Sequence, residues 1–242
     1  MKLMICVLGL GLSWVTAGEW SVRMEAGGIA AGRADVRIPN DGGTRFSFTD
    51  DLSASRGGVV RGQLAWRPGD AHLWMATAAP VRVRASGSFD APVTFRDTEF
   101  PAGEPVRGRY VFDNLRLTYR YRVRETERSR LELGASLFVR LAEVRLESGD
   151  LREVDDDLGA VPLLAFAYTY ALHPRWRLRL EGDALIGPQG RAADVVTALD
   201  WSASDRLTLS AGYRIIEGGA DTSDVFTFAL FHQAVLGLRY QW

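Results

Sequence analysis

Apolar and polar residues alternate along most of the chain, and the last segment shows the pattern most clearly. Trp242, Tyr240 and Leu238 share one parity, whereas Gln241 and Arg239 fall on the other. A period of two residues predicts a β-strand with one apolar face and one polar face. A tilted strand needs only about 9–11 residues to cross a bilayer, so this segment is long enough to span a membrane.

The same alternation recurs in ten segments, which predicts ten strands. They cover residues 19–31, 57–67, 71–86, 108–123, 129–146, 160–172, 176–187, 194–202, 206–217 and 224–242. The connections between them alternate in length. The short ones lie at 67–70, 124–129, 173–175 and 202–206, and the longest lie at 32–55, 88–106 and 148–159. Short turns at one end and longer loops at the other are typical of outer-membrane barrels, in which the short turns face the periplasm.

The fold prediction is an all-β, antiparallel, up-and-down transmembrane β-barrel of about ten strands, formed by a single domain at residues 18–242. A soluble exported barrel also alternates with a period of two, so the aromatic residues must separate the two classes. Beyond residue 17, every tryptophan lies within a few residues of a short turn or a chain end. We predict a membrane-interface ring that contains Trp20, Trp66, Trp176, Trp201, Tyr240 and Trp242. Such a ring is typical of a membrane–water interface, which favours the membrane barrel.

The first 17 residues predict a signal peptide. They contain Lys2, an apolar run of about thirteen residues and a small-residue site ending at Ala17. The run is too short for a spanning helix, which needs roughly 20 apolar residues. Removal of residues 1–17 would also remove Cys6, the single cysteine, so neither disulfides nor thiol chemistry are expected in the mature chain.

Charged residues fall on the parity opposite to the apolar ones and are therefore predicted to line the barrel interior. An arginine that faces lipid at mid-bilayer costs roughly 2–4 kcal/mol, which specifies the register strongly. The predicted lumen-lining residues are Arg23, Glu25, Arg61, Arg82, Arg84, Arg116, Arg120, Arg122, Glu132, Arg140, Arg177, Arg179, Glu181, Asp183, Asp200, Arg214 and Arg239. His232 and Asp113 break the pattern because they lie on the lipid parity, and we expect them near the outer interface or at a bulge.

The predicted interior contains twelve arginines and five carboxylates, an excess of about seven positive charges. Barrels of about eight strands are filled by their own side chains, and open channels appear at sixteen strands or more. A salt-bridge lattice that fills the lumen is therefore one interpretation. The other is a narrow anion-favouring pore or an inward-facing anion site, since unbalanced guanidinium groups attract counter-charges.

Catalytic and metal-binding patterns are weak in this sequence. His72 and His173 fall at short turns and His232 points outward, so no nucleophile–base pair is indicated. The acidic run in 148–159 does not match a calcium loop, and acidic runs in exposed loops are usually solvated. We therefore predict no catalytic residues, no metal and no cofactor. The formal net charge of −1 gives no argument for nucleic acid.

The final strand, with its apolar parity ending at Trp242, resembles the C-terminal signal of bacterial outer-membrane β-barrel proteins. The stretches VRIPNDGGTRFSFTDDL and EGGADTSDVFTFALFH are similar to segments of outer-membrane barrels without an assigned activity. The resemblance implies a monomeric, porin-like barrel in the outer membrane of a Gram-negative cell. Its implied partners are outer-membrane lipid, lipopolysaccharide and the barrel assembly machinery.

The predicted function is that of a non-enzymatic outer-membrane barrel, either structural or a narrow anion-favouring pore. Two alternatives stay open at this point. One is an outer-membrane enzyme that hydrolyses lipid or peptide at the outer rim, and the other is a soluble exported β-barrel that binds a ligand.

Overall fold

The computed structural model describes residues 18–188 and 190–242; the predicted signal peptide at 1–17, with Cys6, lies outside these ranges. Within them the chain forms fifteen β-strands, and no helix there has the length and apolarity to cross a membrane. The strands are β1 (Glu19–Arg37), β2 (Phe46–Ser47), β3 (Leu52–Ala54), β4 (Gly57–Arg67), β5 (His72–Ala79), β6 (Arg82–Ser88), β7 (Val93–Phe95), β8 (Thr98–Phe100), β9 (Pro105–Glu125), β10 (Ser129–Ser148), β11 (Leu151–His173), β12 (Trp176–Gly187), β13 (Gly190–Ser202), β14 (Leu207–Asp221) and β15 (Phe226–Gln241).

The long strands close into an antiparallel barrel. β5 and β6 pair along the same partner strand, β9, so together they form one barrel strand interrupted near Pro80. The remaining barrel strands are β1, β4 and β9 to β15, each paired with its neighbour. Pairing of β1 with β15, from Ser21 opposite Gln241 to Arg37 opposite Phe226, closes the ring. The predicted ten-stranded up-and-down topology is confirmed.

Several strands run farther at the long-loop end than the sequence pattern indicated. The segment 148–159 was predicted as a loop, but β10 and β11 pair continuously through it to a turn at Gly149, where φ is +55°. Likewise, β1 continues past residue 31 to Arg37. Alternation of apolar and polar residues marks only the part of a strand that crosses lipid, whereas backbone pairing continues above it.

The outer face carries an apolar band that ends at a ring of charges. On β10 the outward residues are apolar from Leu131 to Leu141, and the next one is Glu143. Ten steps of about 3.3 Å on a strand tilted by about 45° give a height of roughly 23 Å, close to the apolar band of about 25 Å in such barrels. The outer charge ring consists of Arg82, Asp113, Glu143, Asp156, Arg191 and Glu217.

The opposite end of the band carries the aromatic residues. Trp20 stacks on Trp66 with ring centroids 5.9 Å apart, and Trp176 stacks on Trp201 at 6.2 Å. Tyr240 and Trp242 stack at 6.1 Å beside them on the last strand. The structure thus places the predicted interface residues in one belt at the short-turn end, with the apolar band between this belt and the charge ring.

Above the charge ring the interior is apolar. Side chains from the β1–β4 and β6–β9 connections pack there against inward residues of β1, β6, β9, β10 and β15. This outer plug consists of Val36, Phe46, Phe48, Val81, Val83, Phe89, Phe95, Phe100, Val106, Leu146 and Phe231. The plug fills part of the long-loop end of the barrel with packed hydrocarbon.

The plug explains a wrong prediction. Arg82 and Arg84 were assigned to the lumen, but β6 keeps the register of β5 against β9, so Val81 and Val83 point inward and are 2% exposed. Arg82 points outward and forms an ion pair with Asp113 at 2.8 Å. This part of the wall stands in water above the bilayer, so its apolar residues face the interior instead of lipid. Asp113, one of the two pattern-breaking residues, therefore lies at the outer interface as expected.

Candidate functional site

The middle of the barrel interior holds a network of buried arginines and carboxylates, here called the lumen lattice. It consists of Arg23, Arg61, Arg116, Arg120, Arg179 and Arg214 with Glu25, Glu181, Asp183, Asp194 and Asp200. These residues stand on the inward parity of β1, β4, β9, β12, β13 and β14, so opposite walls of the barrel are joined through their side chains. A void beside the lattice measures only about 20 Å³, which is room for a single water.

Asp194 is a junction that joins three guanidinium groups of the lattice. It is 3% exposed and accepts hydrogen bonds from Arg61 at 2.5 Å, Arg214 at 2.6 Å and Arg116 at 3.1 Å. Arg116 also reaches Asp183. Because three guanidinium groups share Asp194, and Arg116 is shared by two carboxylates, the charges at the centre of the lumen are paired.

Glu181 and Glu25 are the other two junctions. Glu181 accepts hydrogen bonds from Arg23 and Arg179, both at 2.6 Å, and lies 3.4 Å from Arg120. Glu25 accepts one from Arg214 at 2.5 Å. Arg214 thus bridges Glu25 and Asp194, so the junctions form one connected network.

Asp194 was absent from the predicted lumen set. The inward residues of β13 are Asp194, Val196, Ala198 and Asp200. Two apolar residues separate the two charged ones, so this side of the strand is not consistently polar. Its six-residue spacing from Asp200 is the one signal that could have identified it. Arg67 was also absent from that set, although it donates to the predicted Glu132 at 2.8 Å.

The remaining predicted lumen residues lie near the two ends of the barrel. Arg177 and Arg239 line a periplasmic cavity of about 310 Å³ below the lattice. Arg122 pairs with Glu125 at the same end. Arg140 lies above the lattice and pairs with Asp157.

A second cavity, of about 360 Å³, lies at the outer end. Here the barrel wall is low because β12 ends at Gly187 and β13 begins at Gly190, while β11 continues up to Leu151. This outer cavity is lined by Tyr110, Phe112, Arg140, Glu143, Val144, Asp155, Asp156, Asp157, Gly218, Asp224 and Val225, among others. Burial raises the pKa of Asp155 above its ordinary value, and Asp156 and Asp157 add to the rise, whereas Arg96 opposes it.

Comparison with known proteins identifies the architecture. No protein-family model and no curated protein sequence matches the chain. The solved structure of the outer membrane protease OmpT from Escherichia coli is similar, with a TM-score of 0.64 at 8% identity over 94% of this chain and 98% of that one. The chain has the fold of a bacterial outer-membrane β-barrel. The translocator domain of the autotransporter NalP from Neisseria meningitidis matches more distantly, with a TM-score of 0.43 at 12% identity over 95% of this chain and 90% of that one.

The outer face of this outer-membrane barrel carries a cluster of arginines around two phenylalanines at the level of the charge ring. Arg33 and Arg191 lie over the ring of Phe228, at 5.5 and 5.3 Å from its centroid. Arg37 and Arg45 lie over Phe226 at 5.5 and 4.9 Å. We call these six residues the arginine–phenylalanine patch.

A glycine and one carboxylate hold the patch together. A Cβ atom on Gly219 would stand 2.3 Å from the Phe228 ring, so only glycine allows that ring to lie flat on β14. Asp35 accepts hydrogen bonds from both Arg33 and Arg45, at 2.7 and 2.6 Å. Arg191 also pairs with Glu217, so two carboxylates serve four guanidinium groups and positive charge remains at the outer leaflet boundary.

Two of the three histidines pair with tyrosines on the lipid-facing side. His232 contacts the Tyr213 hydroxyl at 2.6 Å beside the bulge between Ala31 and Arg33, so it lies at a bulge as expected. His72 contacts the Tyr119 hydroxyl at 2.8 Å. Neither histidine hydrogen-bonds a serine or a carboxylate of residues 18–188 and 190–242. In the same ranges no group of three or more metal-ligating side chains is arranged around one point.

Proposed function

We propose that the chain is a non-enzymatic, sealed outer-membrane barrel with a structural role in the outer leaflet. The observation that carries this proposal is the double closure of the lumen, by the lattice at mid-membrane and by the outer plug above it. Strand side chains form the lattice, and strand side chains with packed connections form the plug, in which Phe46, Phe48, Val81 and Val83 are 0–2% exposed.

The anion-favouring pore is supported less well than the sealed barrel. With Arg82 and Arg84 outside and with Arg67 and Asp194 inside, the excess of positive charge falls from about seven to about five. The central guanidinium groups are bound to carboxylates, so they are not free to attract a passing anion. An ion would also have to displace buried pairs, which cost several kcal/mol to break.

The purified barrel is therefore expected to pass no measurable current in planar bilayers. Folding is verified in the same preparation by heat-modifiable gel migration, so that the absence of current reflects a closed lumen and not missing protein. In a second variant, Phe46, Phe48 and Phe95 are all changed to serine. This variant loosens the outer plug and shows whether the lattice alone keeps the lumen closed. Steady single-channel steps from the unaltered barrel, with preference for anions, would revive the pore interpretation.

The arginine–phenylalanine patch supports lipopolysaccharide as the lipid partner. Its four guanidinium groups stand just above the hydrocarbon band, where phosphate groups of outer-leaflet lipid are found, and guanidinium binds phosphate in a bidentate manner. Phe228 and Phe226 hold these side chains in place by cation–π contacts. The patch would fix the barrel at a defined height in the outer leaflet.

Changing Arg33 and Arg191 together to glutamine is expected to reduce copurifying lipopolysaccharide several-fold, because both flanks of Phe228 lose their charge. The matched control changes Arg107 and Arg152, two exposed arginines on strand tips outside the patch, and should retain the lipid. Rebinding is then compared for intact lipopolysaccharide, its dephosphorylated form and inorganic phosphate alone. Equal retention by both variants, or equal binding of the dephosphorylated lipid, would contradict the proposal; binding of inorganic phosphate alone would reassign the patch to free anions.

A further inference from the structure

We propose that the outer cavity is a binding site for a small amphipathic cation, with an apolar body and a primary ammonium or guanidinium group. The site is separate from the lumen lattice and from the arginine–phenylalanine patch. The proposal rests on the shape of the opening, the charge of the lining and a buried tyrosine whose hydroxyl has no protein partner.

The opening faces sideways, on the side of the barrel where β12 and β13 end. β11 pairs with β12 only as far as Leu164, close to Pro162, which has no amide hydrogen to continue the ladder. Above that point β11 continues alone on this side, and β14 ends at Asp221 across the gap. A molecule in the outer leaflet headgroup region or in the medium can therefore enter the cavity without crossing the lattice or the plug.

The walls of the cavity are apolar and aromatic. Tyr110 and Phe112 come from β9, Val144 from β10 and Val225 from the last connection. About 360 Å³ lies within the range of roughly 300–1,000 Å³ that small-molecule pockets occupy. The cavity therefore suits a compact apolar body better than an extended polymer.

The charge of the lining is strongly negative. The lining contains five carboxylates and one cation, that of Arg140. The carboxylates belong to Glu143, Asp155, Asp156, Asp157 and Asp224. Asp157 is neutralised by Arg140, Asp155 by Arg96 at 2.6 Å and Glu143 by Arg145 at 3.0 Å. Asp156 and Asp224 form no ion pair with any described residue, so they are available to a positively charged ligand.

Tyr110 provides the observation that is independent of the acidic residues. It is 6% exposed, lines the cavity, and its hydroxyl makes no hydrogen bond within the described residues. Burial raises its pKa to about 12, so the hydroxyl keeps its proton. The ring is buried while the hydroxyl remains accessible, so a ligand in the cavity can hydrogen-bond it in place of water. Tyr110 and Phe112 also present aromatic faces, which attract cations.

The test uses three probes that share one body and differ in charge: 4-phenylbutylamine, 4-phenylbutanol and 4-phenylbutyrate. Calorimetric titration of the full-length barrel in detergent is expected to show saturable binding of the amine. The alcohol should bind about tenfold more weakly or worse, because it lacks the charge-assisted hydrogen bond, a difference of about 1.4 kcal/mol. The carboxylate should give no saturable heat. Equal heats for all three probes would show partition into the micelle and overturn the proposal.

Two variants separate the cavity from the rest of the barrel. Gly218 lines the cavity, and a Cβ there would meet its nearest atoms at 3.9 Å, so Gly218→Leu fills the cavity without strain. We expect it to abolish amine binding while heat-modifiable migration is retained. Gly28→Leu adds the same side chain on the outward parity of β1, where the nearest atom lies at 4.0 Å, and should bind normally.

Removal of the free carboxylates tests the charge directly. Changing Asp156 and Asp224 together to asparagine should weaken amine binding at least tenfold and leave binding of the alcohol unchanged. Full amine affinity in this variant, or in Gly218→Leu, would overturn the proposal. Neither outcome depends on whether the lumen conducts or whether the patch holds lipopolysaccharide.

Discussion

Asp194→Ala is expected to lower the free energy of unfolding of the barrel by about 3–5 kcal/mol, the usual cost of removing one partner from a buried ion pair. Asp194 is bound by Arg61, Arg116 and Arg214. Its loss leaves three guanidinium groups to share the remaining acids, and Arg61 keeps only Glu25 at 3.9 Å. Denaturant unfolding in lipid vesicles, followed by heat-modifiable gel migration, measures the loss.

Two further variants test whether the loss of stability comes from the charge of Asp194. Asp194→Asn keeps the size of the side chain and removes its charge, so it should be nearly as damaging as the alanine variant. Asp150→Ala, in the exposed turn between β10 and β11, should behave like the unaltered chain. If Asp194→Asn unfolds at the denaturant concentration of the unaltered barrel, the lattice does not stabilise the fold through charge.

Leu137→Arg is expected to destabilise the membrane-inserted barrel by roughly 2–4 kcal/mol, because its guanidinium would face hydrocarbon near the middle of the bilayer. Leu137 is 51% exposed on the outward parity of β10, between Leu117 on β9 and Pro162 on β11. Unfolding in phospholipid vesicles measures the change.

The control is Leu151→Arg. Leu151 is also an exposed leucine, but it lies at the tip of β11 above the outer charge ring, where the wall meets water. This variant should be near neutral. Equal destabilisation by both substitutions would mean that the apolar band does not mark the lipid-facing zone.

The membrane-spanning part of the fold could be predicted because lipid enforces a simple rule on it. Each inserted strand must present apolar side chains to hydrocarbon, so alternation locates the strand and its facing. The bounds predicted for β4 and β12 are those of the structure. The same rule separates Arg179 and Glu181, which point inward, from Leu178 and Leu180, which point outward.

The part above the bilayer could not be predicted by the same rule. There water replaces lipid outside the wall, so apolar residues turn inward and the meaning of the pattern reverses. Val83 and Arg84 show this reversal, as does the acidic run that the structure pairs as strand at the tip of β11. The sequence contains no marker of the bilayer boundary, since the charges of the ring come from six separate positions along the chain.

The partners within the lattice were also beyond sequence reasoning. Arg61 and Asp194 are 133 residues apart, and Arg214 and Glu25 are 189 apart. Which inward residues meet depends on the stagger of the strands around the barrel. Shifting the register of one strand by two residues would leave each side chain on the same face and would change its partners. The set of inward residues follows from the pattern, whereas the connections among them follow from the closed geometry.

The lattice spans the seam at which the first and last strands join. Glu25 on β1 is held by Arg214 on β14, and Arg23 on β1 is held by Glu181 on β12, so these bonds cross the β1–β15 junction. Until the two edges meet, these guanidinium and carboxylate groups remain hydrated and apart. Zipping of the seam therefore expels water from the lumen and satisfies the charges in a single cooperative event, which makes a half-closed intermediate costly and a completed barrel difficult to reopen.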